Sequence, residues 1–95
     1  MNTVLKQAID ESKVLELRYQ GYARVVQSHA YGRDKNNDEI FWCYQTSGGS
    51  KSASTGWKLF KVQEVFTPCL TNATFKARHD YKRNHSAMIH IFAQI

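Results

Sequence analysis

Proline occurs once in this chain of 95 residues, at Pro68, and glycine five times. So few breakers argue against a linker or a low-complexity tail and leave one compact domain, too short to enclose a deep multi-part active site. Cysteine is scarce too: Cys43 and Cys69 stand at no metal-like spacing, so two buried thiols in a reducing cytosol are expected rather than a disulfide. No stretch approaches 18 apolar residues, and the first nine residues lack both a basic leader and a continuous apolar run, so no membrane partner and a cytoplasmic location are expected. Acids are missing from the middle of the chain, where Glu64 is the only one between Ile40 and His79 against Lys51, Lys58, Lys61, Lys76 and Arg78. Thirteen Lys and Arg against eight Asp and Glu leave a net charge of +5. That balance favours polyanionic partners, although a solubilising surface carries as much.

The parts needed for catalysis are also short. His29, His79, His85, His90 and the two cysteines form no Cys-x2-Cys, His-x3-His or His-Glu-x-x-His spacing, and no metal or cofactor is expected. Cys43 sits between Trp42 and Tyr44, a setting in which a thiol is buried and inert. Paired carboxylates for acid-base hydrolysis are lacking in the second half. No Gly-Lys-Ser phosphate loop is present, and Ser47-Gly48-Gly49-Ser50-Lys51-Ser52 reads first as a connector and second as a polar flap able to close over an anion. A binding protein is expected, not an enzyme.

Aromatic and β-branched residues are what the chain has in quantity, and their spacing predicts a mainly β fold with flanking helices. Val4, Leu5, Ala8 and Ile9 mark a short amphipathic helix over 3–12, capped by Thr3. Val14-Leu15-Glu16-Leu17-Arg18-Tyr19 alternates as a strand, Gln20-Gly21-Tyr22-Ala23 reads as a hairpin turn, and Arg24-Val25-Val26 resumes the β pattern. A polar loop is expected over 33–38, a central strand buried on both faces over 40–46, and a Ser/Gly loop over 46–56. The next strand covers 57–66, bent near Gln63 and stopped by Thr67-Pro68, with a loop over 71–74. From Tyr81 onward, Tyr81, His85, Met88, Phe92 and Ile95 recur at helical spacing and predict a C-terminal helix over 81–95. On the strand from Trp57 to Val65, period two sets Lys58 and Phe60 on one face and Trp57, Leu59 and Lys61 on the other. Only one of the two lysines can therefore line a given groove, and Phe41, Trp42, Trp57 and Phe60 are expected in the core.

The order of these motifs resembles the WYL domain, a family found mostly in bacterial transcription regulators. An opening helix and a strand ending in Tyr19, the segment Arg24-Val25-Val26-Gln27-Ser28-His29, the aromatic run Phe41-Trp42-Cys43 and the strand Lys58-Leu59-Phe60-Lys61-Val62-Gln63-Glu64-Val65 carry the likeness, over about residues 3 to 75. Ser28 replaces the family's proline, and Glu64 stands where the family has a ligand-contacting arginine. The resemblance implies a Sm-like or SH3-like β-barrel, here over 13–75, that senses an effector or nucleic acid. With no helix-turn-helix region in the chain, a stand-alone version is expected.

Small basic barrels bind single-stranded nucleic acid by mixing cations with stacking rings. The expected ligand is thus a nucleotide or short single-stranded nucleic acid, with Arg18, Arg24, His29, Tyr31, Lys58 and Lys61 as candidate contacts. A second reading makes the protein an interaction module, a homodimer joined through Met88, Ile91, Phe92 and Ile95 of the C-terminal helix.

Overall fold

The computed structural model describes residues 1–52 and 55–95. Helix α1 (Thr3–Asp10) is capped by Asn2, one residue earlier than expected: its Oδ1 accepts from the N–H groups of Val4 and Leu5 at 3.1 and 3.2 Å. Leu5, Ala8 and Ile9 form its buried stripe. Strand β1 (Lys13–Tyr19) alternates as read, with Leu15, Leu17 and Tyr19 inward and Glu16 and Arg18 outward. Gln20 and Gly21 both take positive φ, 52° and 81°, the geometry of a tight hairpin turn.

Strand β2 (Tyr22–Arg33) extends well beyond the expected Arg24-Val25-Val26, because Ser28 to Gly32 are buried throughout and their backbone groups need ladder partners on both sides. Its first half pairs with β1, and Ala30 to Arg33 pair with β6 (His90–Gln94). Strand β3 (Glu39–Gly48) covers its other edge. On β3, Ile40, Phe41, Cys43 and Gln45 are buried, whereas Trp42 and Tyr44 are only half-buried, so the two faces are not alike. Strand β4 (Gly56–Lys61) pairs with β3, and a single 3-10 turn (Val62–Glu64) carries the chain into β5 (Val65–Thr74), beside β1. Of the expected 46–56 loop, Ala53 and Ser54 lie outside the described residues.

The sheet therefore runs β4-β3-β2-β1-β5, all antiparallel, with β6 added to β2. The expected loop over 71–74 is the end of β5. The closed Sm/SH3-like barrel over 13–75 is absent: among the described residues no ladder joins β4 to β5, and the sheet is open. Pro68 does not stop a strand but lies inside β5, where Thr67 (φ 48°) and Pro68 together face Leu17 in a bulge on the sheet edge. Proline is tolerated there because an edge residue can spare its N–H, and the bulge blunts that edge.

The C-terminal helix over 81–95 is also absent. Residues 75–89 form an irregular strap with Asn84 at φ 60°, and β6 follows. The helical spacing arose from residues that a turning chain places in separate pockets. Met88 and Ile91 pack with Ala30 and Ile40, while Phe92 and Ile95 pack against the main core of Leu5, Leu15, Val26, Tyr31 and Phe41. Of the stripe expected at a dimer surface, Met88 is buried and Ile91, Phe92 and Ile95 are half-buried against these two clusters. Phe41 and Phe60 are in the core as expected, with Phe60 stacked on Tyr19 at 4.1 Å, but Trp42 and Trp57 are not.

Candidate functional site: an aromatic cradle under the C-terminal strap

Period two sends Trp42, Tyr44 and Trp57 to the sheet face opposite the main core. Tyr44 lies directly across from Trp57, and Trp42 is its diagonal neighbour. The two indoles stack nearly parallel, 4.9 Å apart at 6°, and Tyr44 meets Trp57 edge-on at 5.4 Å. A register shift between Ser28 and Ala30 brings His29 to the same face, edge-on to Trp57 at 4.8 Å.

The strap closes over this layer. The Arg78 backbone N–H donates to His29 Nε2 at 3.2 Å, while His29 Nδ1 lies 2.9 Å from the Gln27 carbonyl oxygen. These partners require the neutral ring with its proton on Nδ1. Burial lowers the His29 pKa, with the Arg78 charge acting in the same direction against the bond to Gln27. The Arg78 guanidinium sits 3.5 Å from the Tyr44 ring centroid. Tyr81 and His85 add rings against Trp57 and Trp42, at 6.2 and 4.5 Å. Burial lowers the His85 pKa as well. The Trp57 Nε1–H donates to Asp80 Oδ2 at 3.0 Å, and that bond holds the Asp80 carboxyl below its usual range.

A cavity of about 500 Å³ opens between the indole pair and the strap, walled by Trp42, Trp57, Asp80, Lys82, Arg83 and His85. Its size falls within the range of small-molecule sites. Half-buried indoles lining the cavity, with two exposed cations at its rim, can hold a planar group and a nearby negative charge. Among the described residues, no group of three or more His, Cys, Asp or Glu side chains is placed to hold a metal ion.

The residues expected at a site are scattered. His29 lies under the cradle, fully buried, and orients the strap. Tyr31 is in the core, its hydroxyl accepting from the Asn2 N–H at 2.6 Å and donating to Glu39; burial pushes its pKa up to about 12. Arg18 is exposed on β1 and bonds the Gly21 carbonyl at 3.0 Å. Lys61 is exposed near Asp38, at 4.0 Å. Only Arg24 and Lys58 converge, in a smaller cavity beside the Ser/Gly loop.

Lys82 and Arg83, which line this cavity, are not among the residues expected at a site. The interleaving Tyr81-Lys82-Arg83-Asn84-His85 was a visible signal, but its reading as a helix turned Tyr81 and His85 toward an imagined core stripe. No family model, curated protein or solved structure matches the chain.

Proposed function

We propose that the chain binds a ligand joining an aromatic ring to a phosphate, a nucleotide or short single-stranded nucleic acid, in the cradle of Trp42 and Trp57. The observation that carries this reading is the parallel indole pair, half-open to a cavity whose rim holds Lys82 and Arg83. A base stacked on such a platform contributes about 1–3 kcal/mol, with little dependence on its identity. Lys82 and Arg83 supply the charge that meets the phosphate, and the Asp80 carboxylate offers an acceptor to exocyclic amino groups. The role is binding rather than catalysis. The likeness of the motif order to WYL domains supports a regulatory, ligand-sensing use in the cytoplasm, and the two free thiols are compatible with a reducing compartment.

Trp42 and Trp57 are the only tryptophans in the sequence, so intrinsic fluorescence reports on the cavity directly. Titration with a short single-stranded oligonucleotide at low salt should give saturable quenching. If two phosphates are contacted, affinity should fall about sevenfold between 50 and 200 mM salt. The double variant Lys82→Ala, Arg83→Ala should lose most of that salt dependence and leave the fold unchanged, since both side chains are exposed. Absence of quenching at low salt, or quenching indifferent to salt, would refute the proposal.

A further inference from the structure

The turn of β4 from Trp57 to Lys58 leads from the cradle to the opposite face of the sheet, where a second cavity of about 200 Å³ lies between β4 and the Ser/Gly loop. It is built on a buried polar chain. Arg24, 3% exposed, donates from Nε and Nη2 to the Tyr19 carbonyl at 3.3 and 3.1 Å and from Nη1 to Gln45 Oε1 at 3.2 Å. Gln45 is fully buried and passes the connection on, donating from Nε2 to the Gly49 carbonyl at 3.1 Å. The Gly49 N–H in turn donates to the Ala23 carbonyl at 3.1 Å. Gly48 (φ 102°) permits this close approach, because a Cβ there would lie 2.3 Å from the Ala23 carbonyl oxygen.

The loop so anchored delivers Ser50 and Ser52 to Lys58, whose Nζ donates to each hydroxyl at 3.3 Å. Each hydroxyl accepts from Lys58, so at least one keeps an O–H to donate outward. Lys51 stands at the same mouth. The described lining residues include no carboxylate, and among the described residues none forms an ion pair with Arg24. A guanidinium buried against carbonyl oxygens keeps its full charge, and its field adds to those of Lys58 and Lys51.

We propose that Lys58, Lys51, Ser50 and Ser52, backed by the Arg24 charge, form a site for a small tetrahedral oxyanion such as a phosphoryl or sulfate group. The volume lies below the roughly 300 Å³ at which sites for drug-sized ligands begin, so the occupant is the oxyanion alone and not a nucleoside. This site is separate from the cradle.

The test is a titration of the full chain with inorganic phosphate, then sulfate, at constant ionic strength, followed by amide nuclear magnetic resonance. Saturable shifts are expected at Gly49, Ser50, Lys51, Ser52 and Leu59, with the Trp42 and Trp57 indole signals unmoved. The double variant Ser50→Ala, Ser52→Ala keeps every charge and should weaken binding tenfold or more, and Lys58→Gln should abolish it. Non-saturating shifts scattered over the lysines, saturable shifts that survive in the serine double variant, or shifts confined to Lys82 and Arg83 would each overturn the proposal. The indole signals keep its failure distinct from failure of the cradle.

Discussion

His29 shows how much one side chain can join together. Its ring fills the space between Trp57, Tyr81 and Phe75, and its Nε2 links β2 to the strap while Nδ1 bonds back to Gln27 of β2. Protonation places a hydrogen on Nε2, where Arg78 already donates, so the charged ring and the strap bond exclude each other. Because the folded pKa lies below the ordinary 6.5, the unfolded chain takes up this proton first as the pH falls. Stability from His29 is thus complete above about pH 6.5 and declines below it, toward the lowered folded value. Urea unfolding between pH 7.5 and 5 should show this loss, and His29→Gln should retain only the share that His85, shifted the same way by burial, contributes. The cysteines divide by place in a similar manner. Cys43 is buried, burial pushes its thiol pKa well upward, and its Sγ lies 3.8 Å from the Lys58 carbonyl oxygen, whereas Cys69 is exposed on β5. Alkylation of the native protein should add one adduct by mass, and denaturant should release the second. Sequence context identified Cys43 as buried because its neighbours are apolar; it did not expose Cys69, because the open side of β5 is a property of the sheet edge.

Among the elements, β6 is the least expected and depends on the smallest residue. A Cβ on Gly32 would lie 2.2 Å from the His90 carbonyl oxygen, so glycine is what lets β6 close on β2. Gly32→Ala should destabilise the protein by about 1–3 kcal/mol through this overlap, with the Ile91 amide losing hydrogen-exchange protection before the amides of β1. Unfolding in urea with amide exchange would check both. The elements legible in the sequence were those whose signal is local. The β1 hairpin combines strict alternation with Gln20-Gly21, and β3 is too aromatic and apolar to be a loop. Those misread depend on a neighbour. Pro68 looked like a stop because proline denies a ladder bond, and whether that bond is needed depends on which side of β5 faces β1. Met88, Phe92 and Ile95 kept a helical spacing, yet β2 still lacked an edge partner past Gln27, where its ladder with β1 stops, and β6 supplies one.

At the scale of the molecule, β2 is the axis: β3 lies along one edge, and β1 and then β6 share the other. Amides of Val26 and Tyr31 should therefore exchange slowest. The strap over 75–89 is held mainly by ring contacts, side-chain bonds and a few backbone bonds such as the Ile89 N–H to the Arg33 carbonyl, at 2.9 Å. It should open at a lower free energy than the sheet, and amide exchange in the native protein measures the difference. Both cavities follow from this layout, since β4 at the edge presents Trp57 to one face and Lys58 to the other.

The sequence by itself determined the β character of the chain, the first hairpin, the short N-terminal helix, the basic middle and the opposite facing of Lys58 and Lys61. Each of these follows from a period or a turn that involves only near neighbours. Tertiary structure alone decided that the sheet stays open, that the last residues form a strand, and that Trp42 and Trp57 face a cavity with Lys82 and Arg83. Those outcomes rest on pairing between residues tens of positions apart, where edge, bulge and burial depend on the partner and leave no periodic mark in either segment.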